Sequence, residues 1–285
     1  MVRSTYDINN LVDLHIHSYF SDGTMSPSEI IEEAIKKGVY ILAITDHETI
    51  DGSKELLKLA KNKDIKCISG VELDAIENDM NFHILAYGID LEDEEFNNRV
   101  LKNSELLEEV NEKLIAKMKK DNPNISYDEY LKYSYNKNLG GWKALHYFVH
   151  KGLADSLYGG YLLYAQYNHS YTCVSFPGIS ELCQWIHKAG GKAILAHPGK
   201  VIKENDSSIF QNKLIALVDL GLDGIECYYP SHSQEITDIC LDICKERNLI
   251  ITSGSDCHGS FENTFIGQMN TTIEQVDIDK LLVGD

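Results

Sequence analysis

The sequence predicts an α/β fold in which about seven strand and helix units close into a TIM-like barrel that carries a small inserted helical domain. Apolar runs of strand length alternate with amphipathic helices, the alternation lapses after about residue 92, and it resumes after about residue 176. Alternating strands and helices favour a parallel sheet, and about seven such units close into a barrel more readily than they lie flat. We therefore predict a barrel domain from residues 1–97 and 177–285, with an inserted helical lid domain at 98–176.

The first part of the chain supplies four predicted strands and two helices. The strands are apolar runs at residues 12–17, 40–45, 67–73 and 82–87. The segment Ser26-Pro27-Ser28-Glu29 is a capping box with proline at the first helical position, and it predicts a helix that ends at Gly38. A second helix is expected over about residues 52–63.

The middle of the chain has a different composition. Residues 92–122 have the pattern of a long charged helix, and a segment rich in Tyr, Lys, Asn and Gly then follows to about residue 171, with one further helix over about 143–151. This change between matching flanks indicates an insertion. The alternation then resumes, with helices expected over 179–189, 210–220 and 233–247 and strands over 193–198, 224–229 and 249–253.

Ionisable residues recur at or near the carboxyl ends of the predicted strands. His15 and His17 share one face of the first strand because successive side chains alternate. The remaining members of this set are Asp46, His47, His197, Asp256 and His258, whereas Glu72 and His83 lie inside apolar strands. Taken singly, Glu72 and His83 also fit hydrogen-bonded core residues. Together, imidazoles and carboxylates placed in apolar strands indicate a site for divalent Zn, Mn or Fe.

Composition limits the partners of the protein. The formal net charge is −18, so a non-specific binder of duplex nucleic acid is not expected. No apolar run is long enough to span a bilayer, and the N-terminal residues lack the apolar core of a signal peptide. Seven cysteines scattered among strands and helices indicate reduced thiols. We therefore expect a cytoplasmic protein without membrane contacts.

An ordered set of motifs resembles the PHP (polymerase and histidinol phosphatase) family of metal-dependent phosphoesterases. The motifs are His15-x-His17, Thr45-Asp46-His47, Gly70-Val71-Glu72, His83, Ala196-His197-Pro198 and Ser255-Asp256-x-His258. Ser21-Asp22-Gly23-Thr24 and Tyr229-Pro230-Ser231-His232 are similar to the branch that hydrolyses nucleoside 3′,5′-bisphosphates and trims short RNA from the 5′ end. The resemblance covers residues 11–92 and 178–260, and it implies a distorted seven-stranded barrel.

The resemblance also implies two or three divalent metal ions. His15, His17, Glu72 and Asp256 would hold the first ion. Glu72 would bridge to a second ion held by His83 and His197, and a third would be held by Asp22, His47 and His258. Asp46 would orient His47, since a ligating imidazole donates its other N–H to an acceptor. The metals would share a hydroxide that attacks the phosphorus of a phosphomonoester.

The residues implied to contact the substrate follow the family pattern less closely. Lys200 stands where the branch has arginine and would bind a phosphate, although a solvated loop lysine fits equally. His232 would protonate the leaving oxygen or bind phosphate, or would be an ordinary loop histidine. In the insertion, Trp142-Lys143 occurs where the branch has an arginine and histidine pair, so Lys143 would replace the charge of the arginine. Trp142 would stack on a base or pack against its neighbours.

The expected partner is a small phosphorylated molecule, such as a nucleotide or a short RNA. Two other functions stay open at this stage. A histidinol phosphatase is possible, but Asp22 lies where that activity would predict a histidine ligand. A metal-binding interaction module without catalytic activity is the second alternative, although such a module need not retain every proposed ligand.

Overall fold

The structure, a computed structural model, describes residues 10–281 and contains two open β-sheets. The first sheet is parallel and consists of β1 (Leu11–Asp13), β2 (Val39–Ala43) and β3 (Lys66–Ile68). The second sheet consists, in spatial order, of β4 (Gly70–Glu77), β5 (Met80–Tyr87), β6 (Lys192–Leu195), β7 (Gly224–Tyr228) and β8 (Ile250–Ser253). In that sheet β5 is antiparallel to both of its neighbours, whereas β6, β7 and β8 are parallel.

Eleven α-helices lie within the described residues. Those of the first part are α1 (Pro27–Lys37), α2 (Asp51–Ala60) and the long α3 (Glu94–Met118). The middle of the chain forms α4 (Tyr127–Lys132), α5 (Lys143–His150) and α6 (Leu157–Gln166). The rest are α7 (Ile179–Lys188), α8 (Pro198–Val201), α9 (Ser207–Val218), α10 (Gln234–Arg247) and α11 (Ile278–Leu281). Short 3₁₀ turns lie at Lys137–Leu139, Tyr171–Cys173 and Ile273–Gln275.

The predicted closed barrel of seven strands is wrong, because the eight strands of the described residues form two sheets that both stay open. Isolated bridges join Ile16 to Cys257 and His47 to Glu72, but neither extends into a ladder. The apolar run at residues 67–73 contains two strands, since the chain leaves the first sheet after Ile68 and enters the second at Gly70.

The β4–β5 hairpin explains why a parallel barrel does not form. Asn78 and Asp79 connect the two strands with φ angles of 49° and 61°. A two-residue turn with both φ values positive joins antiparallel strands directly, whereas a parallel pair requires a crossover helix. The sequence pattern therefore predicted the position of the strand at 82–87 correctly, but this strand runs antiparallel to its neighbours instead of parallel to them.

Apolar cores fill the space between these layers. One core lies between the two sheets and includes Val12, Ile41, Leu85 and Ile194. The Tyr87 hydroxyl crosses this core and donates a 2.8 Å hydrogen bond to the Leu14 carbonyl. Separate cores pack α1 and α2 against the first sheet, and α7, α9 and α10 against the second. The strands thus form a rigid base that holds the residues following them.

The helices between β5 and β6 have an apolar core of their own. It joins the carboxyl-terminal half of α3 to α4, α5 and α6 through residues such as Leu114, Tyr130, Leu145 and Phe148. Helix α3 begins at Glu94, before the predicted domain boundary, and its first part packs on the five-stranded sheet through Phe96 and Val100. Within residues 10–281, every helix is too short or too polar to cross a bilayer.

Candidate metal centre

The candidate centre lies where the segments following β1, β2, β6 and β8 meet the β4–β5 hairpin. Backbone hydrogen bonds fix the first of these segments against the last: the Asp256 N–H donates to the His15 carbonyl at 2.9 Å, and the His17 N–H donates to the Cys257 carbonyl at 2.9 Å. Asp256 and His197 both have positive φ angles, of 53° and 29°. Such angles are strained in non-glycine residues, and they occur where surrounding contacts determine the direction of a side chain.

Four buried side chains form the tightest donor set, and they are His15, His17, Glu72 and Asp256. The Nε2 atoms of His15 and His17 lie 3.1 Å apart. Oε2 of Glu72 is 3.2 Å from each of these nitrogens. Oδ1 of Asp256 is 3.4 Å from His15 Nε2 and 3.1 Å from His17 Nε2.

These separations fit a tetrahedral metal ion. Metal to nitrogen or oxygen bonds of about 2.0–2.2 Å place neighbouring donors about 3.3–3.6 Å apart on a tetrahedron. Two ring nitrogens and two carboxylate oxygens this close together require either protons or a cation between them. The four residues could therefore hold one divalent ion.

A second donor group surrounds the other oxygen of Glu72. His83 Nδ1 lies 2.8 Å from Glu72 Oε1, and His197 Nε2 lies 3.2 Å from the same oxygen. His47 also reaches this carboxylate, with Nδ1 at 3.4 Å from Oε2, and forms a potential ligand set with Glu72 and His83. Glu72 thus presents one oxygen to each of two neighbouring donor groups, which is the arrangement of a bridging carboxylate.

A third set consists of His17, Asp22, His47 and His258, whose donor atoms lie within 4.8 Å of one another. Asp22 Oδ1 lies 3.3 Å from His258 Nε2 and 3.6 Å from His17 Nδ1. His17 was assigned by sequence only to the first set, yet its Nδ1 is buried without a hydrogen-bond partner among the described residues. The structure thus brings all nine sequence-predicted ligand residues into one continuous cluster.

Three further side chains support the donors from behind. Glu226 Oε1 lies 3.0 Å from His15 Nδ1, and its Oε2 accepts the His197 N–H at 2.9 Å. Asp74 Oδ1 lies 3.2 Å from His83 Nε2. The Tyr229 hydroxyl donates to Asp256 Oδ2 at 2.8 Å. A carboxylate behind a ligating imidazole fixes its tautomer and its orientation.

Sequence reasoning found these supporting residues only in part. Glu226 lies inside the predicted strand 224–229, where a carboxylate requires a partner, so the sequence offers it as an alternative supporting carboxylate. Asp74 was missed, although it lies two residues beyond Glu72 and therefore on the same face of β4. Tyr229 begins the motif Tyr229-Pro230-Ser231-His232, but nothing in the sequence indicated its contact with Asp256.

Asp46 lies beside the cluster with a different set of partners from those expected. Its carboxylate accepts the Ser18 N–H at 2.7 Å, the Ser18 hydroxyl at 2.6 Å and the Ser21 hydroxyl at 2.6 Å. Among the described residues, no hydrogen bond connects this carboxylate to the ring of His47. Asp46 therefore holds the turn that carries Asp22.

The predicted substrate residues lie at unequal distances from the donors. Lys200 Nζ is 2.9 Å from Asp256 Oδ2, and its side chain is 46% exposed. Both ring nitrogens of His232 bind backbone atoms: Nδ1 lies 3.0 Å from the Cys227 carbonyl, and Nε2 accepts the Gly199 N–H at 3.2 Å. Lys200 can therefore reach a bound anion, whereas His232 shapes the loop that carries Lys200.

The insertion reaches the cluster through Trp142, whose ring centroid lies 5.5 Å from that of His47. Lys143 instead pairs with Glu108, and its Nζ lies 4.3 Å above the ring of Tyr130. The ammonium group is thus bound inside the helical insertion. Trp142 is the side chain of this segment that faces the donors.

Burial and charge divide the histidines into two groups. Burial lowers the pKa of His47 to about 4 and that of His197 to about 3, which leaves both rings neutral. Burial has the same effect on His83 and His258, but neighbouring carboxylates outweigh it and raise each pKa to about 10. An ion that binds here must therefore displace protons from His83 and His258.

The carboxylates show the reverse balance. Burial alone would raise the pKa of Glu72, but the imidazoles of His15, His47 and His83 hold it well below its ordinary value. Burial likewise opposes ionisation of Asp256, and His15, His17 and His258 more than compensate. Both groups are therefore ionised near neutral pH, the state in which a carboxylate binds a metal ion.

Three curated proteins from bacteria are similar to the chain over most of its length. A 5′-3′ exoribonuclease of Haemophilus influenzae is 29% identical over 86% of this chain and 89% of the relative. A phosphoribosyl 1,2-cyclic phosphate 1,2-diphosphodiesterase of Eggerthella lenta is 25% identical over 87% of this chain and 94% of the relative. A 3′,5′-nucleoside bisphosphate phosphatase of Chromobacterium violaceum is 24% identical over 88% of each chain.

A solved structure shares the fold, and a family model covers most of the chain. The structure is that of a Bifidobacterium adolescentis protein assigned as a metal-dependent phosphoesterase, and it matches with a TM-score of 0.76, 24% identity and 95% coverage of both chains. The model of the PHP domain matches residues 13–251, a range that contains seven of the nine clustered donors. The chain therefore belongs to the PHP domain family.

Proposed function

We infer that this chain is a metal-dependent phosphoesterase that hydrolyses a phosphate ester of a small, nucleotide-like molecule. The observation that carries the inference is the single, largely buried cluster formed by nine imidazole and carboxylate side chains from distant segments. Membership of the PHP domain family supports the same chemistry. The names of the three curated relatives give RNA, a phosphoribosyl cyclic phosphate and a nucleoside bisphosphate as substrates, and all three are nucleotide-like phosphate esters.

The substrate that fits best is a nucleoside 3′,5′-bisphosphate or the 5′ end of a short oligoribonucleotide. An exoribonuclease and a nucleoside bisphosphate phosphatase are both among the relatives, which favours this class. Asp22, placed within the third donor set, argues against histidinol phosphate. The net charge of −18 is unfavourable for long polyanions but acceptable for a small phosphate ester at a cationic centre.

The cluster provides ligands for up to three divalent ions, and Zn, Mn and Fe suit its donors. We assign His15, His17, Glu72 and Asp256 to the first ion. Glu72, His83 and His197 would hold the second ion, and Asp22, His47 and His258 the third. When bound, such ions neutralise phosphate oxygens and lower the pKa of water, so that an attacking group is available near neutral pH.

The other residues position the substrate and the donors. Lys200 contacts Asp256 from the exposed side of the cluster, so its ammonium group would bind a phosphate oxygen there. His232 holds the Gly199 N–H, so it supports the loop of Lys200. Proton donation by His232 would require the loss of one of its two backbone hydrogen bonds. Lys143 is held by Glu108, so a phosphate contact would require that ion pair to open.

The test is release of inorganic phosphate from adenosine 3′,5′-bisphosphate by the purified chain with Mn²⁺, with and without a chelator. His15→Ala should abolish both tight metal binding and phosphate release while leaving far-UV circular dichroism near that of the native protein. His150→Ala is the matched control because His150 is exposed and lies outside the cluster. It should retain full activity.

The other arms of the experiment separate the alternatives. Turnover of histidinol phosphate without turnover of the bisphosphate would assign the chain to histidinol phosphate hydrolysis. Tight metal binding with no hydrolysis of any monoester or short RNA would support the non-catalytic binding module. Full activity of His15→Ala would contradict the proposed ligand set.

A further inference from the structure

An aromatic cleft of about 340 Å³ opens on the surface beside the third donor set. It is lined by the 3₁₀ turn at Lys137–Leu139, by α6 and by the loop after β8. The lining side chains are chiefly those of Leu139, Leu157, Tyr158, Tyr161, Phe261 and Glu262. Tyr158 is 74% exposed and Leu139 is 56% exposed. Large apolar side chains at this level of exposure in one small concavity are typical of ligand sites.

The cleft adjoins the metal centre. The ring of Phe261 lies 6.3 Å from that of His258 and 6.5 Å from that of Tyr161. Glu262 Oε2 lies 3.8 Å from His258 Nδ1. Two residues that line the cleft are thus neighbours of one proposed ligand. A molecule whose phosphate lies at the donors can extend directly into the cleft.

The chemistry of the walls indicates which part of a substrate fits. Among the described residues that line the cleft, none is basic, and Glu262 places a carboxylate at its edge. A second phosphate would be repelled by this carboxylate and would find no cation. A flat, uncharged heterocycle can instead stack on the tyrosine and phenylalanine rings.

We propose that this cleft binds the nucleobase of the substrate, with Tyr158, Tyr161 and Phe261 as the stacking surface. The proposal rests on the proposed function, since it assumes that the phosphate ester lies at the donor cluster. It adds that the enzyme recognises a base-bearing ester in preference to a bare sugar phosphate. The volume suits one base and is too small for a protein segment of ordinary interface size.

Tyr158→Ala tests the assignment, because this exposed side chain can be shortened without opening a core. With Mn²⁺, the variant should show a KM for adenosine 3′,5′-bisphosphate about tenfold above that of the wild type, as expected for loss of one stacking ring. The KM for ribose 5-phosphate should not change. Tyr158→Phe, which keeps the ring, should restore the wild-type KM.

Inhibition by adenosine provides a second measurement that needs no base-free substrate. Its inhibition constant should also rise about tenfold in Tyr158→Ala. Leu131→Ala is the control because Leu131 is an exposed apolar residue on α4, outside the cleft. It should leave both constants unchanged, and all variants should melt within a few degrees of the wild type.

The possible failures are distinguishable. If the wild type hydrolyses neither ester, the proposed phosphoesterase function is wrong and the cleft assignment falls with it. If the wild type is active but Tyr158→Ala changes neither the bisphosphate KM nor adenosine inhibition, the cleft assignment alone is wrong. A change of oligomeric state in Tyr158→Ala, measured by sedimentation, would assign the cleft to a contact between two copies of the chain.

Discussion

The hydroxyl of Tyr229 donates a 2.8 Å hydrogen bond to Oδ2 of Asp256, the oxygen that faces away from the histidines. The other oxygen, Oδ1, lies 3.1 Å from His17 Nε2. Lys200 also binds Oδ2, at 2.9 Å. Because each oxygen has its own partners, the carboxylate cannot rotate freely. Tyr229 therefore orients a proposed ligand and leaves Lys200 free to bind a phosphate when one is present.

Tyr229→Phe removes this hydrogen bond while keeping the ring. A hydrogen bond to a charged group contributes about 1.5–3 kcal/mol, so we expect Mn²⁺ binding to weaken by about tenfold or more. Titration calorimetry on metal-depleted protein measures the change. Tyr158→Phe is the control because the hydroxyl of Tyr158 lies on an exposed side chain outside the cluster. An unchanged affinity in Tyr229→Phe would mean that Lys200 alone holds Asp256.

Glu226→Gln tests the support behind His15 and His197. Glu226 accepts from the His197 backbone and faces His15 Nδ1, so the neutral amide would lose the charge that favours the ligating tautomer of His15. Loss of such a partner weakens metal binding by about 10–100-fold. Glu246→Gln on the exposed face of α10 should leave the affinity unchanged. Equal affinities for the two variants would contradict the supporting role.

Metal affinity should rise between pH 6 and pH 8. In the metal-free protein, carboxylates raise the pKa of His83 and His258 to about 10, against the effect of burial, so both rings carry protons throughout this range. Binding requires neutral imidazoles and therefore releases these protons, and each released proton makes the affinity increase with pH. Glu72 and Asp256 do not contribute because their pKa values are well below this range.

Calorimetric titration of Mn²⁺ in buffers with different ionisation enthalpies measures the number of protons released. We expect at least the protons of His83 and His258 to appear in the buffer. His187→Ala is a suitable control, since this histidine pairs with Asp223 at the surface and should not change the count. Metal binding that is independent of pH and releases no protons would show that His83 and His258 are not ligands.

The sequence predicted the position of the donors better than the form of the fold. Period-two alternation predicted that His15 and His17 converge, and their Nε2 atoms lie 3.1 Å apart although β1 ends at Asp13. Ionisable groups at or within apolar strands indicated most of the other donors, whereas Asp22 came only from the resemblance to the PHP family. The closed barrel was wrong because the pattern of apolar runs contains no information on strand direction. The break at Ser69 and Gly70 and the turn at Asn78 and Asp79 decide that direction, and both are short local features.

Contacts between distant segments were beyond the sequence patterns. Ser18 and Ser21 bind Asp46, although the motif suggested His47 as its partner. Lys143 aligns with a cation of the family, yet it forms an ion pair with Glu108 of α3. Such pairings depend on how separate segments pack against one another, and neither spacing nor composition reports that geometry.

The insertion touches the metal centre through two glycines. The Gly141 N–H donates a 2.7 Å hydrogen bond to the carbonyl of Asp22, a proposed ligand. Gly140 has a φ of 68°, and a Cβ added there would lie 2.7 Å from Cβ of Phe261 and 2.9 Å from the Asp22 carbonyl oxygen. Only a residue without a side chain permits this close approach.

Gly140→Ala should therefore displace the insertion from the centre, whereas Gly152→Ala provides a control with nearly the same positive φ. Gly152 has a φ of 67°, and an added Cβ there meets no atom within 4 Å. Each alanine should destabilise the chain by about 1–3 kcal/mol, because a residue with a side chain rarely adopts a positive φ. Gly140→Ala should in addition lower kcat/KM for adenosine 3′,5′-bisphosphate by tenfold or more, since Asp22 and Phe261 must shift with the insertion. Equal kcat/KM values in the two variants, measured below their melting temperatures, would show that docking of the insertion does not affect the reaction.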